Sequence, residues 1–97
     1  MSLKNAAIYM GYREASDNKF LKPVGYSCLA IDTNTLKFVS YLKANGEIQA
    51  WTSETFDEEC SIEDYISVIK DFEASHTYLG FGESNFEFIT PEQIVEL

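Results

Sequence analysis

LKFVSYLKANGEIQAWTS, residues 36–53, reads as two extended segments around a turn, and the length of that turn decides which side chains share a face. Phe38, Val39, Tyr41, Ile48 and Trp51 are strand-favouring types, whereas Ala44-Asn45-Gly46 interrupts the run. A two-residue Asn45-Gly46 turn would set Leu42 opposite Gln49 and Phe38 opposite Ser53, mixing apolar and polar groups on each face. A three-residue loop with Gly46 left-handed sets Leu42 opposite Ile48 and Lys43 opposite Glu47. That second register sorts the faces better. A one-residue slip would scramble them, so the patterning favours the longer loop.

Outward from the hairpin, Val24 to Ile31 is expected as a strand joined to Leu36–Ala44 by the turn Asp32-Thr33-Asn34-Thr35. One face of this meander then carries Gly25, Ser27, Leu29, Ile31, Leu36, Phe38, Ser40, Leu42, Ile48 and Ala50. The other carries Val24, Tyr26, Cys28, Val39, Tyr41, Gln49 and Trp51. Upstream, Asn5 to Tyr12 alternates loosely and reads as a first strand. Arg13 to Lys22 is polar, contains Ser16-Asp17-Asn18, and reads as a loop ending near Pro23.

Downstream, Ser61 is an expected N-cap with Asp64 three residues on. Ile62, Tyr65, Ile66, Ile69 and Phe72 recur at helical spacing, and their natural target is the first sheet face. Tyr78–Phe81 and Asn85–Ile89 read as short strands around Gly82-Glu83-Ser84. Thr90-Pro91-Glu92-Gln93 opens a short helix expected to reach Leu97. The expected fold is a single α+β domain over residues 1–97. An antiparallel β-meander sheet packs against one amphipathic helix (about 61–74), with a short C-terminal helix.

With 45% hydrophobic and 14% aromatic residues, the chain lies outside the disordered regime. It has no apolar run of about 18 residues, so no membrane association is expected and the simplest location is cytoplasmic. Charge is unevenly placed. Residues 1–53 hold six bases against four acids, while residues 54–97 hold twelve acids against Lys70 alone, and the net charge is −9. Asymmetry of this kind bears on partners and steering rather than fold.

Catalytic and metal chemistries find little purchase. His76 is the one histidine, and nothing in the sequence sets it beside Cys28 or Cys60 as a base beside a nucleophile. The cysteines lack zinc-finger spacing, and the acidic run does not follow a calcium-loop pattern. Gly80-Phe81-Gly82 lacks the further glycines or Gly-Lys-Ser/Thr ending of a phosphate loop. No enzyme activity, metal or cofactor is expected. Direct binding of nucleic acid is disfavoured by the sign of the charge.

The acidic stretch 53–65 is what remains. Glu54, Asp57, Glu58, Glu59, Glu63 and Asp64 crowd there without a base, and Asp71 lies two helical turns beyond Asp64. Glu73, Glu83, Glu87, Glu92 and Glu96 would widen the negative area if the C-terminal elements fold alongside. The helix dipole favours an acid in the first turn by about 0.3–1 kcal/mol, which accounts for one or two of the six. Fixed carboxylates can instead occupy a cleft built for phosphates, with Trp51 and Tyr41 as aromatic anchors.

In charge, size and lack of motif, the chain resembles small acidic phage-encoded inhibitors of the DNA-mimic type, including anti-CRISPR and anti-restriction proteins. The resemblance implies a non-enzymatic inhibitor whose partner is a protein or ribonucleoprotein with a basic nucleic-acid-binding cleft. The alternative expectation is a dimerisation or ligand-binding module that uses the Tyr26/Tyr41/Trp51 sheet face, with a homodimer as one form.

Overall fold

A computed structural model of the chain describes residues 2–55, 60–78 and 85–95. Its elements run α1 (Ser2–Tyr9), β1 (Arg13–Ser16), β2 (Lys19–Val24), β3 (Ser27–Asp32), β4 (Lys37–Ala44), β5 (Glu47–Thr55), α2 (Ile62–His76), β6 (Phe86–Glu87) and α3 (Pro91–Val95). The expected α+β architecture, with an antiparallel sheet and a short C-terminal helix, is what forms. Strands β1 to β5 lie in sequence order, each antiparallel to the next, and β6 pairs with the far end of β4.

The decisive hairpin closes with two residues, not three. Ala44 pairs with Glu47, Lys43 with Ile48, Leu42 with Gln49, Tyr41 with Ala50 and Ser40 with Trp51. Asn45 at φ 54° and Gly46 at φ 79° are both left-handed. A two-residue turn of that hand matches the twist of the strands it joins. Phe38 and Ser53 do not form a simple pair. The register shifts between Lys37 and Val39, where a bulge sets Ser53 and Glu54 together against Phe38 before Thr55 meets Lys37. Gln49 and Trp51 therefore share the face of Ser40 and Leu42, while Ile48 and Ala50 share that of Tyr41. For these four residues the expected sidedness is reversed.

Two N-terminal expectations also give way. Asn5–Tyr12 is not a strand, since Ser2–Tyr9 is helical and buries Leu3, Ala6 and Ala7, a stripe at spacing 0, 3 and 4. The helix stops where Gly11 takes φ 94°. Gly11 N–H donates to the Ile8 carbonyl and Tyr12 N–H to the Ala7 carbonyl, a Schellman ending that wants glycine at that position. Arg13–Lys22 is not a loop but most of the β1–β2 hairpin, turning at Asp17-Asn18 with Asn18 at φ 63°. Pro23 lies inside β2 beyond the stretch that β1 covers, so its missing N–H takes no ladder bond from β1.

The core has two parts, one on each side of the sheet. On the helix side, Phe20, Leu29, Ile31 and Phe38 meet Tyr65, Ile69 and Phe72 of α2 and Leu3, Ala6 and Ala7 of α1. The expected α2 stripe thus reaches its expected target, shared with a second helix. On the far side, Leu21, Cys28 and Ala30 are covered by Ile89 and by Ile94 of α3. Thr90 N–H donates to the Gln93 side chain, the reciprocal bond expected at the start of α3. Of the expected 78–81 strand, Tyr78 forms a parallel bridge to Gly25. The rest of the expected 78–81 strand and its turn, and the end of the last helix at Leu97, lie outside the described residues.

A polar knot ties the helices to the sheet. The Lys22 ammonium sits 3.0 Å from Glu73 Oε2, donates to the Met10 carbonyl at 2.8 Å and lies 5.5 Å from the centre of the Tyr12 ring. Tyr12 hydroxyl donates to the same Glu73 oxygen at 2.9 Å. Glu73 therefore satisfies two partly buried donors. Removing it leaves the Tyr12 hydroxyl without its acceptor and the Lys22 charge without its counter-ion, held by the Met10 carbonyl alone. Glu73→Ala is expected to lower stability by about 1–3 kcal/mol in urea unfolding. A change within about 0.5 kcal/mol would class the knot with ordinary surface pairs.

Candidate functional site

Helix α2 is the element that presents carboxylates. Its N-cap forms as expected, with Ser61 Oγ accepting the Asp64 N–H at 3.3 Å. Because Tyr65, Ile69 and Phe72 turn inward, the opposite side of the helix carries Glu63, Asp64, Ser67 and Asp71, all exposed. Lys70 flanks them as the one lysine or arginine of α2. Asp64 and Asp71 are two turns apart, about 10 Å along the axis. Among the described residues, no hydrogen bond or ion pair holds the side chains of Glu63, Asp64 or Asp71. They sit on a helix anchored by its buried side, so the backbone that presents them is set before any partner arrives.

The other acids divide. Asp57, Glu58 and Glu59 lie outside the described residues, as does the side chain of Glu54, and Glu83 and Glu96 do as well. Glu73 faces the polar knot and does not widen the acidic surface. Glu87 is engaged across the β4–β6 ladder, accepting the Gly46 N–H at 3.1 Å and standing 4.0 Å from Lys43. Glu92 is exposed on α3, across the sheet from α2.

The aromatic anchors do not join the acids or each other. Trp51 is 46% exposed. It lines a cleft of about 300 Å³ with Ser27, Ser40, Leu42, His76 and Tyr78. That places it at the C-terminal end of α2, about 16 Å along the axis from the level of Asp64. Tyr41 is on the other side of the sheet, in a cleft of about 290 Å³ with Leu21, Val39, Ile94, Lys19 and Lys37. Tyr26 stacks on Phe88, with centroids 4.5 Å apart and planes 9° from parallel. The Tyr26/Tyr41/Trp51 face expected as an alternative binding surface is therefore split, because the shorter turn sends Trp51 to the helix side.

The residues that could support nucleophilic catalysis are also kept apart. Cys60 and His76 stand at opposite ends of α2, about 24 Å apart along its axis. Cys28 is buried on the far side of the sheet. His76 Nδ1 lies 3.2 Å from the Phe72 carbonyl, which suits the tautomer with the proton on that nitrogen. The hydroxyls of Ser27 and Ser40 donate to the His76 carbonyl at 3.2 and 3.0 Å. They close the end of α2 rather than point at the ring. Among the described residues, no group of three His, Cys, Asp or Glu side chains could hold a metal ion. None of the described helices is long and apolar enough to cross a membrane.

No protein-family model, curated protein or solved structure matches the chain.

The strand expected from Glu47 to Ser53 forms as β5, but its place at a free edge of the sheet was not anticipated. It ends the sheet, runs nine residues and is exposed at Gln49, Ala50, Trp51 and Thr52. The signal for it was the Asn-Gly pair at the turn.

Burial pushes the Cys28 thiol up to about 11 from an ordinary value of 9.0. Tyr12 is raised by burial and by its bond to Glu73, and Tyr41 by burial and then by Cys28. Each of these groups holds its proton more tightly folded than unfolded. Their contribution is intact below the unfolded value and is lost as pH rises toward the folded one. Native stability is therefore expected to fall between pH 9 and about 11, by about 3 kcal/mol from Cys28. Cys28→Val should flatten that part of the profile in denaturant titrations run at stepped pH. An unchanged slope would show that this thiol does not carry it.

Proposed function

We propose that the chain is a non-enzymatic acidic inhibitor that binds and masks a basic, nucleic-acid-binding surface of a partner protein or ribonucleoprotein. In this reading it acts as a DNA mimic of the anti-CRISPR or anti-restriction kind, in the cytoplasm. The observation that carries it is the outward side of α2. Glu63, Asp64 and Asp71 are exposed, have no internal partner among the described residues and are fixed on a packed, capped helix. The packed helix removes the cost of ordering the backbone that carries these carboxylates, and charge-assisted bonds to Arg or Lys are stronger than neutral ones. The sequence adds Asp57, Glu58 and Glu59 just before the helix. A net charge of −9 steers the molecule toward a cationic cleft from a distance.

Tyr41 and Trp51 have no common place in this contact. Trp51 stays within reach of a partner that extends along α2 to its C-terminal end, whereas Tyr41 faces away.

Affinity capture from a source-cell lysate, with elution in a salt gradient, tests the proposal. The expected catch is a nucleic-acid-binding protein or complex that salt releases and that competing DNA or RNA displaces. Glu63→Gln, Asp64→Asn and Asp71→Asn together should weaken that capture roughly tenfold or more, since about 1.4 kcal/mol corresponds to each factor of ten. Retention indifferent to ionic strength, or unchanged in the triple variant and in one also neutralised at Asp57, Glu58 and Glu59, would overturn it.

A further inference from the structure

The free edge of β5 has the properties of a pairing surface. At nine residues it is the longest strand in the sheet, and nothing among the described residues pairs with its outer side. Natural edges are usually blunted by shortness, bulges, proline or inward lysine. The opposite edge, β1, obeys this, with four residues and a register shift, whereas the shift in the β4–β5 pair falls beyond Thr52 and leaves Glu47 to Thr52 regular. From Glu47 to Thr52, β5 has no proline and no lysine, and its one charge, Glu47, is at the turn. The two-residue turn also fixes which backbone groups are available. With Ala44↔Glu47 as the hydrogen-bonded pair next to the turn, Glu47, Gln49 and Trp51 direct N–H and C=O toward β4. Ile48, Ala50 and Thr52 direct theirs outward.

We propose that this edge pairs with the same edge of a second copy, antiparallel about a two-fold axis through Ala50. In that register Ala50 meets Ala50 of the second copy, Ile48 meets Thr52, and Gln49 meets Trp51. Every outward N–H and C=O of these residues then finds a ladder partner. The charge pattern favours a second copy over a strand of unrelated sequence. Glu47 falls opposite Ser53, so two chains of net charge −9 meet along a segment with no like charges opposed. The half-exposed Trp51 side chains approach diagonally across the axis, on the helix side of the joined sheet. An axis normal to the sheet also puts both α2 helices on that side, roughly 20 Å apart at about 4.8 Å per strand. The pairing itself does not depend on what α2 binds. A contact of one ladder is smaller than the standard interface of about 800 Å² per partner, so a weak, concentration-dependent dimer is expected.

Sedimentation equilibrium across a concentration series up to about 1 mM reads the association directly. A monomer–dimer equilibrium is expected that tightens as salt rises from about 0.05 to 0.5 M, because screening relieves the repulsion between two acidic chains. That is opposite to the salt response expected of a cationic partner. Ala50→Pro removes an outward N–H but no bond to β4, and should weaken dimerisation at least tenfold while leaving the thermal melt within a few degrees. In a Cys60→Ser background, Ala50→Cys should form an interchain disulfide under mild oxidation. Thr52→Cys should not, since it faces Ile48. Monomers throughout the series would overturn the proposal. So would a dimer indifferent to Ala50→Pro, or equal cross-linking at positions 50 and 52. Monomers whose Ala50→Pro variant loses a heterologous partner would assign the edge to that partner instead.

Discussion

The Asn45-Gly46 turn is the constraint on which the arrangement of surfaces depends. Two left-handed residues fix β5 against β4, and everything about β5 follows. Trp51 and Gln49 go to the helix side, Ile48 and Ala50 to the side of Tyr41, and the backbone of Ile48, Ala50 and Thr52 to the free edge. One more residue in the loop would reverse each of these placements. The turn prevails over hydrophobic sorting because β5 is an edge strand. Ala50, Trp51 and Thr52 are exposed. Mixing polar with apolar groups therefore costs little there, and the Asn-Gly preference for a two-residue turn matched to the strand twist decides the register.

The acids perform two separate tasks. Glu73 binds the Tyr12 hydroxyl and the Lys22 ammonium, and Glu87 binds the hairpin turn. Asp32 accepts the N–H groups of Asn34 and Thr35 in the next turn. These carboxylates are engaged in holding the fold. Glu63, Asp64 and Asp71 are not, and they lie together on one side of one helix. Net charge alone conceals the division. The field of the whole molecule acts at a distance, but contact with a cationic partner falls to the carboxylates that remain outward.

Much of the fold was legible where local chemistry and burial agree. Ser61 and the stripe Ile62, Tyr65, Ile66, Ile69 and Phe72 define α2 because a cap and a buried side chain pattern specify the same helix. The strands β3 and β4 were legible for a similar reason, since both are central and their alternation is enforced by core on each side. Val24, however, ends β2, before the turn at Gly25-Tyr26, and packs on the helix side rather than the far face. Helix α1 was not, because its buried residues include two alanines, whose small size lets α1 lie close but gives a weak pattern. The signal was Gly11 just past its end. The strands β1 and β2 were obscured by lysines and a proline. Lys22 belongs to the knot with Glu73, a partner 51 positions away that no local pattern discloses. Of the candidate site, the cluster on α2 follows from helical periodicity, whereas the sides taken by Tyr41 and Trp51 depended on one turn.

Cross-strand Hα–Hα nuclear Overhauser contacts test the hairpin register most directly, because they arise between opposed residues of non-hydrogen-bonded pairs, about 4.5 Å apart at Cα. The two-residue turn predicts them between Tyr41 and Ala50 and between Lys43 and Ile48. Contacts joining Leu42 to Ile48 and Ser40 to Ala50 would instead establish the three-residue loop, return Trp51 to the side of Tyr41, and contradict the account of both surfaces.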